Sequence, residues 1–298
     1  MRVVYASFAL NALALVLKLA TMLTSNSAAV NAEFLHALGD FIGSGLLALG
    51  VAISAKAPSI KYPFGYGRST YVFGLLSASV IGGFLFTLSL LEGIKRVTTK
   101  EVVVSSFSAL VFLLIATAAD LTVLAWALWK YPAYGENPAL KGTVIENLVD
   151  TVGNVAALTA LLTLNPLIDA YGAFVISAIL LISSINLGYK YFNVLIGRSA
   201  PKNVIGRAIK IAVSIPYIVD VNDVKSLIIG PDNYLLIMQL EIPPNLIAED
   251  IQKARNELTE KLTRAEPRIK YLIAEFVTPR DPPGTFKKLL SEVIKLGE

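Results

Sequence analysis

Long apolar runs with almost no charge recur through the first two thirds of the chain, and they limit the folds that it can adopt. Crossing the hydrocarbon core of a bilayer takes about 20 mainly apolar residues in a helix. The mean hydropathy of +0.63 and the charged fraction of 16% also fit a membrane protein better than a soluble domain. We therefore predict a multi-pass membrane protein with an all-α transmembrane domain of six helices. The predicted spans cover residues 3–23, 29–55, 69–95, 104–129, 141–163 and 167–195.

The basic residues that flank these spans predict their orientation. An even number of spans places both termini on one side, and the side richer in Lys and Arg is expected to face the cytoplasm. The run that follows Arg2 has no small-residue cleavage site, so we expect it to remain as the first span. We predict an integral protein of the cell (plasma or inner) membrane with cytoplasmic termini. The predicted cytoplasmic side holds Arg2, Lys56, Lys61, Arg68, Lys130, Lys141, Lys190 and Arg198, and the other side holds Lys95, Arg96 and Lys100.

The composition changes after Gly197, where charges become frequent and the hydrophobic period alternates between helical and strand-like. NVIGRAIKIAVSI predicts an amphipathic helix, and VNDVKSLIIG and YLLIMQLEI predict two strands joined at Gly230-Pro231-Asp232-Asn233. A second helix and a third strand, IKYLIAEFV, follow. The order αββαβ predicts a small α+β domain with helices on one face of a sheet. The predicted organisation is a six-span transmembrane domain at 1–200, a soluble domain at 201–280 and a tail at 281–298.

Ionisable side chains inside the predicted spans are the strongest indication of function. Each costs at least about 2.5–3.5 kcal/mol near the centre of a span, so each requires a partner or a purpose. His36 and Asp40 lie four residues apart in the second span, and Glu146 and Asp150 repeat that spacing in the fifth. Because this spacing places both members of a pair on one helix face, the two pairs can close four ligands around one cation. One imidazole and three carboxylates suit zinc, iron, cobalt or manganese, so we predict a divalent-metal site.

Three further acidic residues admit more than one interpretation. Glu33 lies one turn before His36 and either orients its imidazole or is simply hydrated near the outer surface. Asp120 belongs either to a proton or water path or to a pairing with polar residues of a neighbouring helix. Asp169 follows an Asn-Pro turn, which favours a role at a helix N-terminus over metal ligation.

The composition also argues against several other classes of protein. The absence of cysteine excludes thiolate metal sites, disulfides and cysteine nucleophiles. With one histidine and no Gly-rich phosphate loop, the sequence shows no nucleophile and base set and no ATP-binding signature, so we do not expect an enzyme. Although the net charge is +4, the basic residues are scattered at span ends and over the C-terminal part, so we expect no nucleic-acid partner.

Five motifs follow one another along the chain: SNSAAVNAEFLHALGDFIGSGLLALG, YPFGYGRSTY, LLEGIKRV, NPLIDAYGAFVISAILL and LIGRSAP. In this order they resemble the cation diffusion facilitator family of zinc and other divalent-metal transporters. The resemblance extends over nearly the whole chain, which makes it far more specific than the spacing of His36 and Asp40 alone.

This resemblance implies a homodimer of six-helix protomers, each with a cytoplasmic ferredoxin-like domain. It further implies export of Zn(II) or a related ion in exchange for protons, through a site that carries over onto His36, Asp40, Glu146 and Asp150. The family usually has His or Asp where this chain has Glu146, so this site is more anionic than the usual zinc site. The metal is a transported substrate, and no cofactor is expected.

Other functions fit parts of the same pattern. Mn(II), Fe(II) or Co(II) is the alternative substrate within a transporter. A non-transporting membrane metal sensor or scaffold would use the spans as an anchor and the soluble domain to bind a partner. A channel or a transporter of organic solutes would use the charges to line an aqueous path.

Overall fold

The computed structural model describes residues 2–134 and 138–279. The tail predicted at 281–298 lies outside these residues. Side chains are described for residues 12–126, 128–129 and 144–279.

Internal contacts divide the chain into two compact units. The first unit contains the residues up to Leu49 together with Phe73–Tyr189. The second unit contains Gly50–Val72 and the residues from Lys190 onward. The two are described separately below.

Long apolar helices build the first unit. Among the residues that the structure describes, five helical segments are long and apolar enough to cross a membrane: Ala28–Ser54, Ser69–Thr99, Phe107–Trp126, Val144–Thr163 and Pro166–Leu195. They confirm a multi-pass helical membrane domain, while the number of six spans stays a prediction. The helices are α1 (Arg2–Leu23), α2 (Ala28–Ser54), α3 (Ser69–Ser79), α4 (Phe86–Thr99), α5 (Phe107–Tyr134), α6 (Pro138–Thr163) and α7 (Pro166–Leu195).

A π-helical turn, Val80–Leu85, joins α3 to α4 inside the predicted third span. The hydroxyl of Ser184 on α7 donates a hydrogen bond to the carbonyl of Ala78, at 2.7 Å. In an uninterrupted α-helix that carbonyl would accept from the amide of Gly82, which lies four residues later. A Cβ at Gly82 would collide with Ser184, so the glycine lets the two helices approach. Insertion of a side chain into the hydrogen-bond ladder is a recognised cause of such an irregularity.

The bounds predicted for the spans leave short connections between the first two spans and between the last two, and both connections are present. α1 ends at Leu23 and α2 begins at Ala28, while α6 ends at Thr163 and α7 begins at Pro166. The second connection is made at Leu164, whose φ of 50° lies in the left-handed region.

Asp169 joins three helices near these connections. It lies in the first turn of α7, as predicted, but the N-terminus that it caps is that of α2. Its carboxylate accepts hydrogen bonds from the amides of Ala28 and Ala29, at 2.8 and 2.9 Å, and from the hydroxyl of Ser27. Arg96 of α4 forms an ion pair with the same carboxylate, with 2.9 Å between Nε and Oδ2. Both side chains are buried, so this is an interior ion pair with strong hydrogen bonds.

The second unit contains a three-stranded sheet with the order β1-β2-β3. The central strand β2 pairs antiparallel with β1 and parallel with β3. The strands β1 and β2 meet at the turn predicted around Pro231 and Asp232, and the element order αββαβ is as predicted. The name ferredoxin-like stays a prediction. The elements are α8 (Lys202–Ala212), β1 (Asp220–Gly230), β2 (Asn233–Glu241), α9 (Ala248–Ala265) and β3 (Ile269–Val277).

One face of this sheet packs against α8 and α9 around a continuous hydrophobic core. Alternate residues of β2 point into it, as the two-residue period of a strand requires. Both helices contribute apolar residues at helical spacing. Buried members of the core include Val204, Ile209, Leu236, Met238, Leu240, Leu258 and Leu262.

Within the same unit, the loop that follows α2 contacts the sheet. The ring of Phe64 meets the ring of Tyr271 edge to face, with 5.2 Å between centroids. Gly67 lies so close to Ile229 and Gly230 that a Cβ there would collide with the strand backbone. The absence of a side chain at Gly67 therefore lets this loop reach β1.

A buried carboxylate, Glu266, links the end of α9 to the start of β3. Arg268 donates two hydrogen bonds to it, and Arg207 of α8 lies 3.3 Å away. The hydrogen bonds from Arg268 hold the pKa of Glu266 below its ordinary value.

The Glu266→Gln substitution is expected to destabilise the chain by about 1–2 kcal/mol at pH 7, because the amide keeps the shape but loses the charge. Since the folded-state pKa is depressed, the native carboxylate contributes stability above the unfolded pKa of about 4.3, and this is lost as the pH falls through the folded value. The gap between variant and native stability should therefore close in acid. Unfolding midpoints from pH 7 to pH 3 check this, and a gap independent of pH would contradict it.

Candidate metal site

The second predicted span places three ionisable side chains on one face of α2. Glu33, His36 and Asp40 are spaced by three and four residues, so they follow one another along the same side of the helix. The imidazole lies between the two carboxylates: Nδ1 is 3.9 Å from Glu33 Oε2, and Nε2 is 3.7 Å from Asp40 Oδ2. Glu33 and His36 are buried, whereas about a third of the Asp40 side chain is exposed (32%).

The fifth predicted span, α6, contributes Asp150 to the same place. Asp150 Oδ1 lies 3.8 Å from His36 Nδ1. Glu33, His36 and Asp150 each offer one ligand atom, and these atoms lie within 4.8 Å of one another. A Cβ at Gly153 would collide with the Glu33 carboxylate, so this glycine allows α6 to approach α2 here. We call Glu33, His36 and Asp150 the acidic cluster.

The structure thus brings two of the four predicted ligands into one cluster. Asp40 contacts His36 but lies outside the acidic cluster. Glu146 also lies outside the acidic cluster and is exposed on α6. Glu33, for which the sequence left two roles open, is buried beside His36 rather than hydrated. Ligation of a metal by any of these residues stays a prediction.

Sequence reasoning missed Lys18, a buried lysine of α1. Its ammonium donates a hydrogen bond to Glu33 Oε1 at 2.6 Å. It also lies 3.9 Å from Asp150 Oδ1 and 4.0 Å from Asp120 Oδ2. A signal was present in the sequence, because Lys18 lies well inside the predicted span 3–23, where a lysine is as costly as an acid.

Asp120 extends this network to α5. Its Oδ2 accepts a hydrogen bond of 2.7 Å from the side-chain amide of Asn154 on α6. Of the two interpretations left open for Asp120, the structure provides the pairing with polar groups of neighbouring helices. Asn154 therefore links α6 to α5, as interhelical hydrogen bonds do in membrane proteins.

The acidic cluster has the chemistry of a cation site. Among the described residues, Glu33 Oε2 and His36 Nδ1 are buried without a hydrogen-bond partner. A buried polar atom without a partner is costly, and a bound cation would satisfy both at once. An imidazole nitrogen with carboxylate oxygens is a ligand set for borderline divalent metals.

These features define a class: a multi-pass helical membrane protein with a buried, ligand-rich cluster between spans. The sequence model of the family described as cation efflux transmembrane domain matches residues 4–196, which is most of the chain. The chain belongs to this family, and the resemblance to cation diffusion facilitators is confirmed.

Three relatives illustrate the range of the family. The proton-coupled zinc antiporter SLC30A9, mitochondrial, of Mus musculus is 25% identical over 249 residues, 77% of this chain and 44% of that protein. Metal tolerance protein C4 of Arabidopsis thaliana is 24% identical over 82% of this chain and 57% of its own length. Magnetosome protein MamB of Magnetospirillum gryphiswaldense is 25% identical over 86% of each chain. The chain thus spans about half the length of the first two relatives.

Proposed function

We propose that this protein moves a divalent transition-metal ion, with Zn(II) favoured, across a membrane in exchange for protons. The observation that carries the proposal is the meeting of His36 from α2 and Asp150 from α6, two of the predicted ligands, at 3.8 Å in a membrane helical domain. Membership of the cation efflux family and the name of the mouse relative support it.

In this proposal the ion is bound by His36, Asp40, Asp150 and Glu146, with Glu33 as a further oxygen ligand. Asp40 and Glu146 lie outside the acidic cluster, so a small movement of α6 relative to α2 would be needed to bring all the predicted ligands to one ion. Alternating access provides such a movement, because the helices rock around a fixed site.

Proton exchange follows from the ligand chemistry. A metal ion binds neutral imidazole and ionised carboxylates, so protons compete for the same atoms. Protons that enter from the far side would displace the ion, and the exchange needs no separate proton pathway.

The ligand set is also compatible with a second substrate. Carboxylates outnumber the single imidazole, and such oxygen-rich sites accept Mn(II) and other divalent ions as well as zinc. Mn(II), Fe(II) and Co(II) are therefore the alternative substrates, and a metal sensor or scaffold that does not transport is the alternative function.

The rest of the assembly belongs to the same proposal. We place six spans in the cell membrane with both termini in the cytoplasm, and two copies of the chain in a homodimer. The αββαβ unit would then be a ferredoxin-like cytoplasmic domain that assists dimerisation.

Flux measurements in proteoliposomes that hold a metal-sensitive dye test the transport proposal. Zn(II), Mn(II), Fe(II) and Co(II) are compared with and without a proton gradient. We expect gradient-dependent uptake of at least one ion. Asp40→Ala should lower the initial rate at least about tenfold, since even groups that only orient a ligand contribute 10- to 100-fold.

Empty liposomes and the variant Glu257→Ala, at a partly exposed glutamate, serve as controls for leak and for loss of charge. Glu257 lies on α9 and pairs with Lys261, far along the chain from the predicted spans. Binding without flux would favour the sensor or scaffold. Flux that ignores Asp40 would contradict the assignment of the transport site.

A further inference from the structure

Lys18 is a buried cation next to the acidic cluster, and the proposed transport cycle gives it no role. Its ammonium is 3% exposed and sits against Glu33, which is 1% exposed. Lysine is the least easily buried of cations unless it is paired, and here its closest partner is a residue of the acidic cluster. A stable cation is thus built into the place where a transported cation is expected.

The contacts show that Lys18 and His36 share the same carboxylates. One oxygen of Glu33, Oε1, accepts from Lys18, while the other, Oε2, faces His36. Asp150 Oδ1 lies at nearly equal distances from the lysine ammonium (3.9 Å) and from the imidazole (3.8 Å). Any ion that binds these oxygens must compete with the ammonium for them.

The charges around Lys18 also indicate that the ammonium competes with the metal ion. Glu33, Asp120 and Asp150 surround the single ammonium, and each lies within 4.0 Å of it. Without a positive charge, the buried carboxylate of Glu33 and the partly buried carboxylates of Asp120 and Asp150 would repel one another strongly. Lys18 therefore stabilises the cluster when it holds no ion. When a divalent ion enters, the same ammonium becomes a like charge next to it.

We infer that Lys18 is a tethered cation that replaces the charge of the metal ion in the ion-free carrier and must leave Glu33 and Asp150 when the metal binds. This rests on the proposed function and adds a residue that sets affinity. The competition lowers the affinity for metal, which permits release. Together with the protons that exchange for the ion, it also compensates the negative charge of the cluster while the ion-free site returns across the membrane.

A purely structural role for Lys18 makes the opposite prediction. If the ammonium only held α1 against α2, its removal would disorder the ligands and weaken metal binding. If Lys18 competes with the metal, its removal strengthens binding. The direction of the change in affinity therefore separates the two.

The test measures equilibrium binding of Co(II) to the purified full chain in detergent at one fixed pH, followed by the visible absorption of the bound ion. Removal of a like charge about 4 Å away is expected to tighten binding at least about tenfold in Lys18→Gln and in Lys18→Met. Lys18→Arg retains the charge and should stay within about threefold of the native affinity. Lys95→Gln, at an exposed lysine of α4, is the matched control and should not change it.

Gel filtration and thermal melting establish that each variant is folded. If the neutral variants do not fold, the Co(II) affinity of Lys18→Arg still tests the inference. An arginine variant that binds Co(II) tenfold more tightly than the native chain would overturn it, because the positive charge is retained. Neutral variants that fold and bind Co(II) equally or more weakly would also overturn it.

Flux gives a second and independent readout. In proteoliposomes, Lys18→Gln should bind more tightly yet turn over at least about tenfold more slowly, because release and return both need the tethered charge. Unchanged turnover would overturn the inference alone. A native chain that neither binds nor transports any of the four metals would overturn the proposed function, and with it this inference.

Discussion

The Asp150→Ala substitution is expected to weaken Co(II) binding at least about 100-fold and to bring metal flux down to background. Asp150 Oδ1 faces both His36 and Lys18, at 3.8 and 3.9 Å. Its removal takes away a negatively charged ligand and also leaves the lysine ammonium with less compensation, so the two effects on an entering divalent ion add. Losses of 10- to 100-fold are typical for groups that only support a ligand, and a direct ligand should exceed them.

Glu146→Ala is the matched comparison, because Glu146 lies on the same helix, one turn before Asp150, and was predicted as a ligand together with it. Glu146 is exposed and outside the acidic cluster, so in the proposed arrangement it reaches the ion only after the helices move. Its loss should therefore weaken Co(II) binding by about tenfold, less than the loss of Asp150. Titration of both variants with Co(II), alongside Glu257→Ala, measures the affinity of each and checks that Asp150→Ala loses the most. Equal losses in Asp150→Ala and Glu146→Ala would contradict this order and would show that the two carboxylates contribute equally to the bound ion.

The sequence predicted the elements well where local pattern decides the structure. Apolar runs of span length lie within the helices, and the change of period after Gly197 marks the sheet and its two helices. The turn at Pro231-Asp232 also follows from local chemistry, since proline and aspartate favour turns. In these segments the near neighbours in sequence are enough to fix the backbone.

Features that depend on distant residues were missed. The π-helical turn at Val80–Leu85 is explained by Ser184, a residue of another helix whose hydroxyl takes the carbonyl of Ala78. Nothing in the run around Gly82 and Gly83 distinguishes a π-helix from a flexible or small-residue packing site.

In the candidate site, too, local sequence determines some contacts and the packing of distant residues determines others. A spacing of four correctly puts Asp40 beside His36 on α2, because helix geometry alone settles it. Glu146 and Asp150 share one face of α6 but lie about 6 Å apart along its axis. Which of them reaches Glu33 and His36 depends on where α6 packs closely against α2, and the collision that a side chain at Gly153 would make with Glu33 shows that this close contact is near Asp150.

Glu33 and Lys18 illustrate two different reasons for failure. The burial of Glu33 depends on the helix that covers it, so its two roles could not be separated from sequence. Lys18 could have been found, because an ammonium inside an apolar run demands a partner, and the acidic residues of other spans were the available partners. The identity of that partner, at 2.6 Å, required the fold.

The Asp169→Asn substitution is expected to reduce the free energy of unfolding by about 3–5 kcal/mol, because it leaves the buried guanidinium of Arg96 without its counter-ion. Arg96 Nε lies 2.9 Å from the carboxylate, and Asp169 itself is fully buried. The amide has one acceptor oxygen where the carboxylate has two, so one of the backbone amides of Ala28 and Ala29 also loses its hydrogen-bond partner.

Denaturant titration in detergent, followed by circular dichroism, measures this cost, and a double-mutant cycle with Arg96→Met identifies its source. If the unpaired charge dominates, adding Arg96→Met to Asp169→Asn should restore part of the lost stability, since the two residues are directly coupled. A single variant less than about 1 kcal/mol below the native chain would mean that water reaches the pair, because exposed ion pairs contribute that little. Strong coupling would instead show that the start of α2, and with it the helix that carries Glu33 and His36, is held in place by an ion pair on α4 and α7.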